Sequence, residues 1–339
     1  MELFGSTRAE LSSCCEKLGH SSFRGKQIAD WLYVKGVRSA SGMSNLPAPL
    51  REELATSHTI TRSEIIKESR SEDGTTKFLL GLADGETIES VLLPYADRVS
   101  VCVSTQIGCA IGCTFCATAE SGLVRNLTAG EILDQVLTLQ ERGGARVSHV
   151  VFMGMGEPLA NLPNVLKAID LLHAELGISM RRISISTVGL TPAIRKLAEL
   201  DLQITLAISL HAPDEELRAR LIPFSSRFPL PELVAACRDY ADHTKRRITF
   251  EYLLLAGVND SPTQAQALAG MLRGILCHVN LIPYNKVIGR HYERPSKSAI
   301  AAFRSVLESE GLEVTQRMER GHAVSAACGQ LRKREGDQQ

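Results

Sequence analysis

The sequence has no excess of charge of either sign and no long apolar run. Its 38 Lys and Arg balance 38 Asp and Glu over 339 residues, which excludes a strongly cationic nucleic-acid binder. Any RNA contact must therefore come from local patches. Arg181-Arg182, Lys245-Arg246-Arg247 and Arg332-Lys333-Arg334 are the candidates, and each reads equally well as solvated surface. No apolar stretch reaches the roughly 20 residues that a spanning helix needs. The N-terminus lacks a basic start followed by an apolar core, so a secretory leader is not expected. Repeats and low-complexity segments are also missing, and an apolar content of 44% suits a globular protein rather than a disordered or fibrous one. Nine cysteines without a secretory signal imply a reducing compartment, where thiols serve as ligands or reactive groups and not as disulfide staples. The expected location is the cytoplasm, with no membrane partner.

Three of those cysteines stand close together, in Gly108-Cys109-Ala110-Ile111-Gly112-Cys113-Thr114-Phe115-Cys116. A structural zinc site or an electron-carrying iron–sulfur cluster usually takes four protein ligands. A [4Fe–4S] cluster held by Cys109, Cys113 and Cys116 alone leaves one iron without a protein ligand. This spacing, with an aromatic (Phe115) before the last cysteine, resembles the radical-SAM superfamily. There that iron binds S-adenosylmethionine, and the cofactors carry the hard chemistry while the protein positions them. On spacing alone, a zinc knuckle completed by a distant Cys or His, or a set of buried thiols, competes with this reading.

From residue 99 onward, short β-branched runs alternate with amphipathic segments. Strands are expected over 99–107, 148–155, 182–187, 203–211, 247–255 and 278–285, with a further short run over 313–318. Helices are expected over 128–142, 162–176, 192–200, 231–243, 261–273 and 296–310. Thr128 with Glu131 reads as a capping box, and Ser261-Pro262 as an N-cap followed by Pro at the first helical position. Repeated strand–helix units imply a parallel sheet with right-handed crossovers. The expected fold class is α/β, a partial or complete (β/α) barrel, with a doubly wound sheet as the fallback. Residues 1–58 read as a small helical domain, apolar on one face around Trp31. Residues 59–95 read as a β-hairpin connector that turns at Glu72-Asp73-Gly74 and Ala83-Asp84-Gly85. The barrel then occupies 96–331, followed by a charged tail over 332–339.

In a parallel β/α barrel the active site gathers at the C-terminal ends of the strands. Those ends carry the cysteine loop, then Gly154-Met155-Gly156-Glu157-Pro158, Ser186-Thr187, Ser209-Leu210-His211 and Pro283-Tyr284-Asn285. Any one of these groups reads as a turn residue. Together at one rim they suggest a site for a polar, zwitterionic nucleoside. Cys102 lies inside the first strand and Cys328 near the C-terminus; a lone cysteine is usually a buried structural thiol, as Cys14, Cys15, Cys237 and Cys277 are read.

Taken together, the chain resembles the RlmN/Cfr family of radical-SAM RNA adenine methyltransferases. The matching runs are Cys102-x6-Cys109-x3-Cys113-x2-Cys116, Val151-Phe152-Met153-Gly154-Met155-Gly156-Glu157-Pro158-Leu159, Ile185-Ser186-Thr187, Ala207-Ile208-Ser209-Leu210-His211-Ala212-Pro213, Asn280-Leu281-Ile282-Pro283-Tyr284-Asn285 and Ala326-Ala327-Cys328-Gly329-Gln330-Leu331. Phe23-Arg24-x2-Gln27-Ile28 and Ser44-Asn45-Leu46-Pro47 also match, so the likeness covers essentially the whole chain. Gly156-Glu157-Pro158-Leu159 lies nearer the RlmN side.

The resemblance implies a fold of radical-SAM type, a [4Fe–4S] cluster on Cys109, Cys113 and Cys116, and S-adenosylmethionine. Gly156 and Glu157 would hold the methionyl amino group, while Ser186, Ser209, Leu210, His211 and Asn285 would contact the rest of that cofactor. It further implies that Cys328 is methylated and that the methyl carbon is transferred through a protein–RNA adduct to carbon 2 of an adenine. Cys102 would then resolve the adduct through a transient disulfide with Cys328, and Glu89 would accept the proton. The implied substrate is an adenosine of 23S ribosomal RNA, with tRNA as a second candidate and residues 1–58 as an RNA-docking element. A reducing electron donor, such as a flavodoxin system, is expected, and the protein is expected to be a monomer. One departure stands out. The family usually has Asp-Ile-Asp before the Ala-Ala-Cys run, whereas this chain has Ala323-Val324-Ser325. Alternatives are a paralogue acting on another adenosine or on carbon 8, a radical-SAM enzyme without a methyl carrier, or a zinc-bearing RNA-binding module.

Overall fold

The computed structural model describes residues 2–318 and 329–331. The N-terminal segment folds as α1 (Arg8–Lys17), α2 (Phe23–Ala29) and α3 (Ala48–Ser57), with a wide π-type turn over Asp30–Val34 continuing α2. Helix α1 starts at a capping box between Thr7 and Glu10, which satisfies two otherwise orphaned N–H groups. Polar bonds hold this segment together and tie it and the linker after it to the rest of the chain. The Tyr33 hydroxyl donates to the Ser6 carbonyl at 2.6 Å and accepts from the Gly5 N–H at 3.1 Å. Arg62 pairs with the buried Asp134, and Arg8 grips Glu175 at 2.8 Å.

Strands β1 (Glu64–Arg70), β2 (Thr76–Gly81) and β3 (Thr87–Pro94) form an antiparallel meander. β3 pairs antiparallel with β4 (Val99–Cys102), so the hairpins and the barrel share one sheet. The expected single strand over 99–107 is in fact two. The N–H groups of Thr105 and Gln106 both turn to the Met155 carbonyl, at 2.8 and 3.3 Å. This carries the chain out of the main sheet into β5 (Gln106–Gly108), which pairs with β6 (Leu123–Asn126).

Beyond β4 the ladder is parallel. It runs through β7 (His149–Phe152), β8 (Ile183–Thr187), β9 (Thr205–Ser209), β10 (Ile248–Leu254), β11 (Cys277–Pro283) and β12 (Val314–Gln316). Among the described residues the order β1-β2-β3-β4-β7-β8-β9-β10-β11-β12 makes a ten-stranded open sheet, the partial form of the expected barrel. The intervening helices are α4 (Ala129–Gly143), α5 (Leu162–Ala174), α6 (Thr191–Glu199), α7 (Glu215–Leu221), α8 (Leu230–Thr244), α9 (Pro262–Leu272) and α10 (Lys297–Ser309). Capping boxes at Thr128/Glu131 and Ser261/Gln264 start α4 and α9.

The two faces of the parallel strands differ because side chains alternate along each strand. On β8, Ile183 and Ile185 are fully buried in the main core with Leu197, Leu206 and Phe250, whereas Ser184 and Ser186 are half-buried. Each such apolar side chain removed from water stabilises the fold by about 1.5–3 kcal/mol. Register carries the other, polar face across the sheet: Ser186 lies beside Ala207, and Ser209 beside Glu251, then Asn280, then Thr315. The functional side chains sit on this face. Among the described residues no helix is long and apolar enough to cross a membrane.

Candidate functional site

The cysteine loop leaves β5 through a crowded turn. Gly108 has a φ of +74°, and a Cβ there would lie 1.8 Å from the Gly122 carbonyl oxygen, so only glycine fits. The Cys109 N–H donates to that same Gly122 carbonyl at 2.8 Å, and the Cys116 N–H to the Cys113 carbonyl at 3.1 Å. The Thr114 N–H reaches the Leu221 carbonyl at the end of α7 at 3.0 Å. Phe115 is buried and meets His211 edge-on, with ring centroids 5.1 Å apart. These contacts fold the loop back so that all three thiols line one cavity of about 1000 Å³, open mouth included.

Glu157 lies across that cavity and is 3% exposed. One carboxyl oxygen accepts from the Leu159 N–H at 2.9 Å and the other from the Val188 N–H at 2.9 Å. Gly156, at φ +97°, brings the loop against Gln106, whose Cβ would be 2.6 Å from any added side chain. Burial pushes the Glu157 carboxyl up to about 7 against the pull of its backbone donors. Burial also pushes the Cys109 thiol up to about 12, with Glu157 and Cys116 adding to the rise, and holds Cys113 well above its ordinary value. Three thiols and a carboxyl thus line one cavity in which burial disfavours their ionised forms. The set calls for a cationic, thiophilic guest, which would draw all four groups to their anionic states.

His211 completes the wall in a left-handed conformation, φ +61°. The Leu253 N–H donates to its Nδ1 at 3.1 Å, which leaves the proton on Nε2. Burial, and then the nearby Arg218, lowers its pKa to about 3, so the ring is a neutral donor at physiological pH.

Of the residues singled out from the sequence, Cys109, Cys113, Cys116, Gly156, Glu157, Ser186, Ser209 and His211 line this one cavity. Leu210 is fully buried beside it, its N–H given to the Glu251 carbonyl at 3.1 Å. Asn285 is buried outside the lining, and its Oδ1 has no hydrogen-bond partner. Cys102 and Glu89 are buried on β4 and β3, on the same side of the sheet through Val91, which lies opposite Cys102. Cys328 and Ala323-Val324-Ser325 lie outside the described residues. Gly329, next to Cys328, lines the cavity, and its carbonyl accepts from the Ala117 N–H at 2.8 Å.

Sequence reasoning missed Glu251 and Arg317, which also line the cavity. Glu251 accepts from the Asn280 side chain at 2.8 Å; burial raises its pKa, and Arg317 opposes the rise. A lone charge inside the apolar run Ile248–Leu254 was the signal available.

Comparison with known proteins agrees with this geometry. A model of the radical SAM superfamily matches residues 103–265, and one of the ribosomal RNA large subunit methyltransferase N-terminal domain matches residues 1–60. A probable dual-specificity RNA methyltransferase RlmN of Thermosynechococcus vestitus is 52% identical over 98% of both chains. Its counterpart in Gloeobacter violaceus is 49% identical over 98% of this chain and 95% of the other. The crystal structure of a radical SAM methyltransferase from Sphaerobacter thermophilus superposes with a TM-score of 0.93 at 45% identity, covering 98% of this chain and 99% of that one.

Proposed function

Since this chain belongs to the RlmN family of radical-SAM RNA methyltransferases, we propose that it methylates carbon 2 of an adenosine, with Cys328 carrying the methyl group and Cys102 releasing the product. The family's cofactors, a [4Fe–4S] cluster and S-adenosylmethionine, suit the donor set described above: thiols for iron, and a buried carboxyl for an ammonium group. Once reduced, the cluster supplies the single electron that turns S-adenosylmethionine into a hydrogen-abstracting reagent.

The remaining work falls to side chains of this protein. Cys109, Cys113 and Cys116 would hold the cluster. Glu157, with the Gly156 backbone, receives the methionyl ammonium, and the Nε2–H of His211 donates into the same cavity. Ser186, Ser209, Leu210 and Asn285 complete the cofactor's surroundings. Carbon 2 of adenine, flanked by two ring nitrogens, is too electron-poor to attack a sulfonium methyl, so the carbon must arrive on a protein sulfur. Cys328 carries it as a thioether, and Glu89 takes the carbon 2 proton. The Cys102 thiolate then attacks the sulfur of Cys328 and a disulfide forms, while the broken sulfur–carbon bond leaves its electron pair on the carbon, which takes up a proton to complete the methyl group.

The observation that carries this reading is the position of Gly329. It tethers the residue after Cys328 to the cysteine loop and to the cavity wall. The names of the matching family and relatives support large-subunit ribosomal RNA as one substrate and a second specificity, which we assign to tRNA. Residues 1–58 serve as the RNA-docking domain, where exposed Phe23 and Val34 accompany Arg24, Lys26 and Lys35. A low-potential donor of the flavodoxin class supplies electrons, and the enzyme acts in the cytoplasm. Intact-protein mass spectrometry tests the carrier. Protein expressed with its cluster should bear one methyl group on Cys328, and a bare thiol there would refute the carrier role.

A further inference from the structure

Arg218, on α7, heads the largest fully buried side chains of the protein, at 0% exposure. Its Nε donates to the Leu210 carbonyl at 3.3 Å and its Nη2 to the Val188 carbonyl at 2.5 Å, while Nη1 has no hydrogen-bond partner among the described residues. Among the described residues no carboxylate pairs with it. Glu215, one turn back on α7, spends an oxygen on the Leu230 N–H at 2.7 Å. A buried charge without a counter-charge is strongly disfavoured unless something nearby balances it.

The cysteine loop lies close by. α7 packs directly under it: the Leu221 carbonyl accepts both the Thr114 N–H at 3.0 Å and the Thr114 hydroxyl at 3.3 Å. Leu217 and Leu221 share a core with Ile111 and Phe115, and Cys109, Cys113 and Cys116 pack against that core. Both carbonyls that Arg218 holds also belong to the site. The Val188 N–H binds Glu157, and Leu210 precedes His211. Burial lowers the guanidinium pKa to about 10, with Glu215 and then the Cys113 and Cys237 sulfurs opposing the fall, so it stays charged at neutral pH.

We propose that Arg218 is a positioning residue whose buried guanidinium sets a fixed positive charge beneath the cysteine loop and thereby raises the reduction potential of the cluster held there. This inference rests on the radical-SAM reading of the loop. A cluster on three thiolates is anionic, and more so after it takes up one electron from a low-potential donor, so a fixed cation stabilises the reduced form more than the oxidised one. The two carbonyl bonds keep the ends of β8 and β9 in place but carry no charge of their own. Arginine meets both demands at once, whereas lysine would keep the charge and lose the fork.

The test is an EPR-monitored redox titration of the anaerobically reconstituted holoprotein, with dithionite as reductant, run on wild type, Arg218→Lys and Arg218→Met beside thermal melts. Arg218→Met keeps the bulk and loses the charge. Its cluster should be harder to reduce by at least a factor of about ten in the equilibrium, equivalent to about 59 mV for one electron. Arg218→Lys should melt early as well, yet keep a potential close to wild type. Equal potentials in all three proteins would reduce Arg218 to a structural clamp and overturn the proposal, as would equal drops in both variants. Should Arg218→Met fail to take up iron, Arg218→Gln replaces it as the uncharged member. A gap between Gln and Lys then supports the proposal, and no gap overturns it. A wild-type protein without any one-electron cluster signal would instead refute the radical-SAM reading itself, which keeps the two failures distinct.

Discussion

Lys77 and Glu89 form an ion pair of 3.0 Å with both side chains buried, 5% and 1% exposed, on neighbouring antiparallel strands. Val91 stands opposite Lys77 on one side and opposite Cys102 on the other. The pair therefore shares a sheet face with the thiol proposed to release the product. Breaking a buried ion pair by removing one partner costs up to about 3–5 kcal/mol. Lys77→Met should lower stability by that order in denaturant titrations. The double variant Lys77→Met/Glu89→Leu should regain most of it, while remaining unable to complete methyl transfer for want of the proton acceptor.

Cys102→Ser should leave the fold and the cluster intact, because serine fits the volume of a buried thiol on β4. It should also trap the enzyme on its substrate. After anaerobic turnover, a covalent protein–RNA species should accumulate on denaturing gels. Release of methylated RNA at the wild-type rate would show that another group resolves the adduct.

Glu157→Gln replaces one carboxyl oxygen with an NH2 group that faces the Leu159 or Val188 N–H. Losing a charge-assisted bond in a buried site costs about 1.5–3 kcal/mol, roughly ten- to a hundredfold in affinity. Equilibrium binding should show S-adenosylmethionine affinity falling by that factor while iron content stays at the wild-type level.

His211 gives stability a pH dependence of definite sign. Its folded pKa is about 3, below the unfolded value near 6.5. Between these limits the unfolded chain binds the proton and the folded chain does not. Stability is therefore full above about pH 6.5 and is lost as pH falls, by at most about 1.4 kcal/mol per unit from this group. Asparagine tolerates the φ of +61° and keeps an acceptor for the Leu253 N–H. His211→Asn should flatten the stability profile between pH 6.5 and 4.5 relative to wild type in chemical denaturation.

Much of the site was legible in sequence because its residues cluster at strand ends, where a local motif and a topological rule coincide. The capping box at Thr128 and the N-cap at Ser261 were legible because they need only near neighbours in sequence, though the structure adds Gln264 to make the second a box as well. What escaped depends on distant partners. Nothing local shows that the run over 99–107 breaks where Thr105 and Gln106 turn to the Met155 carbonyl. The run Glu215–Leu221 was not among the expected helices, and Arg218 is its most enclosed side chain. Its burial follows from the carbonyls of Val188 and Leu210, far away in the chain. Lys77 likewise looks like an ordinary strand lysine until β3 brings Glu89 beside it.

The most direct measurement is anaerobic turnover of the reconstituted protein, with labelled S-adenosylmethionine, on total RNA from cells lacking this gene, followed by nucleoside analysis. Wild type should yield labelled 2-methyladenosine, and Cys328→Ala should yield none. Absence of that nucleoside with wild type, or its appearance with Cys328→Ala, would contradict transfer to carbon 2 through a cysteine carrier.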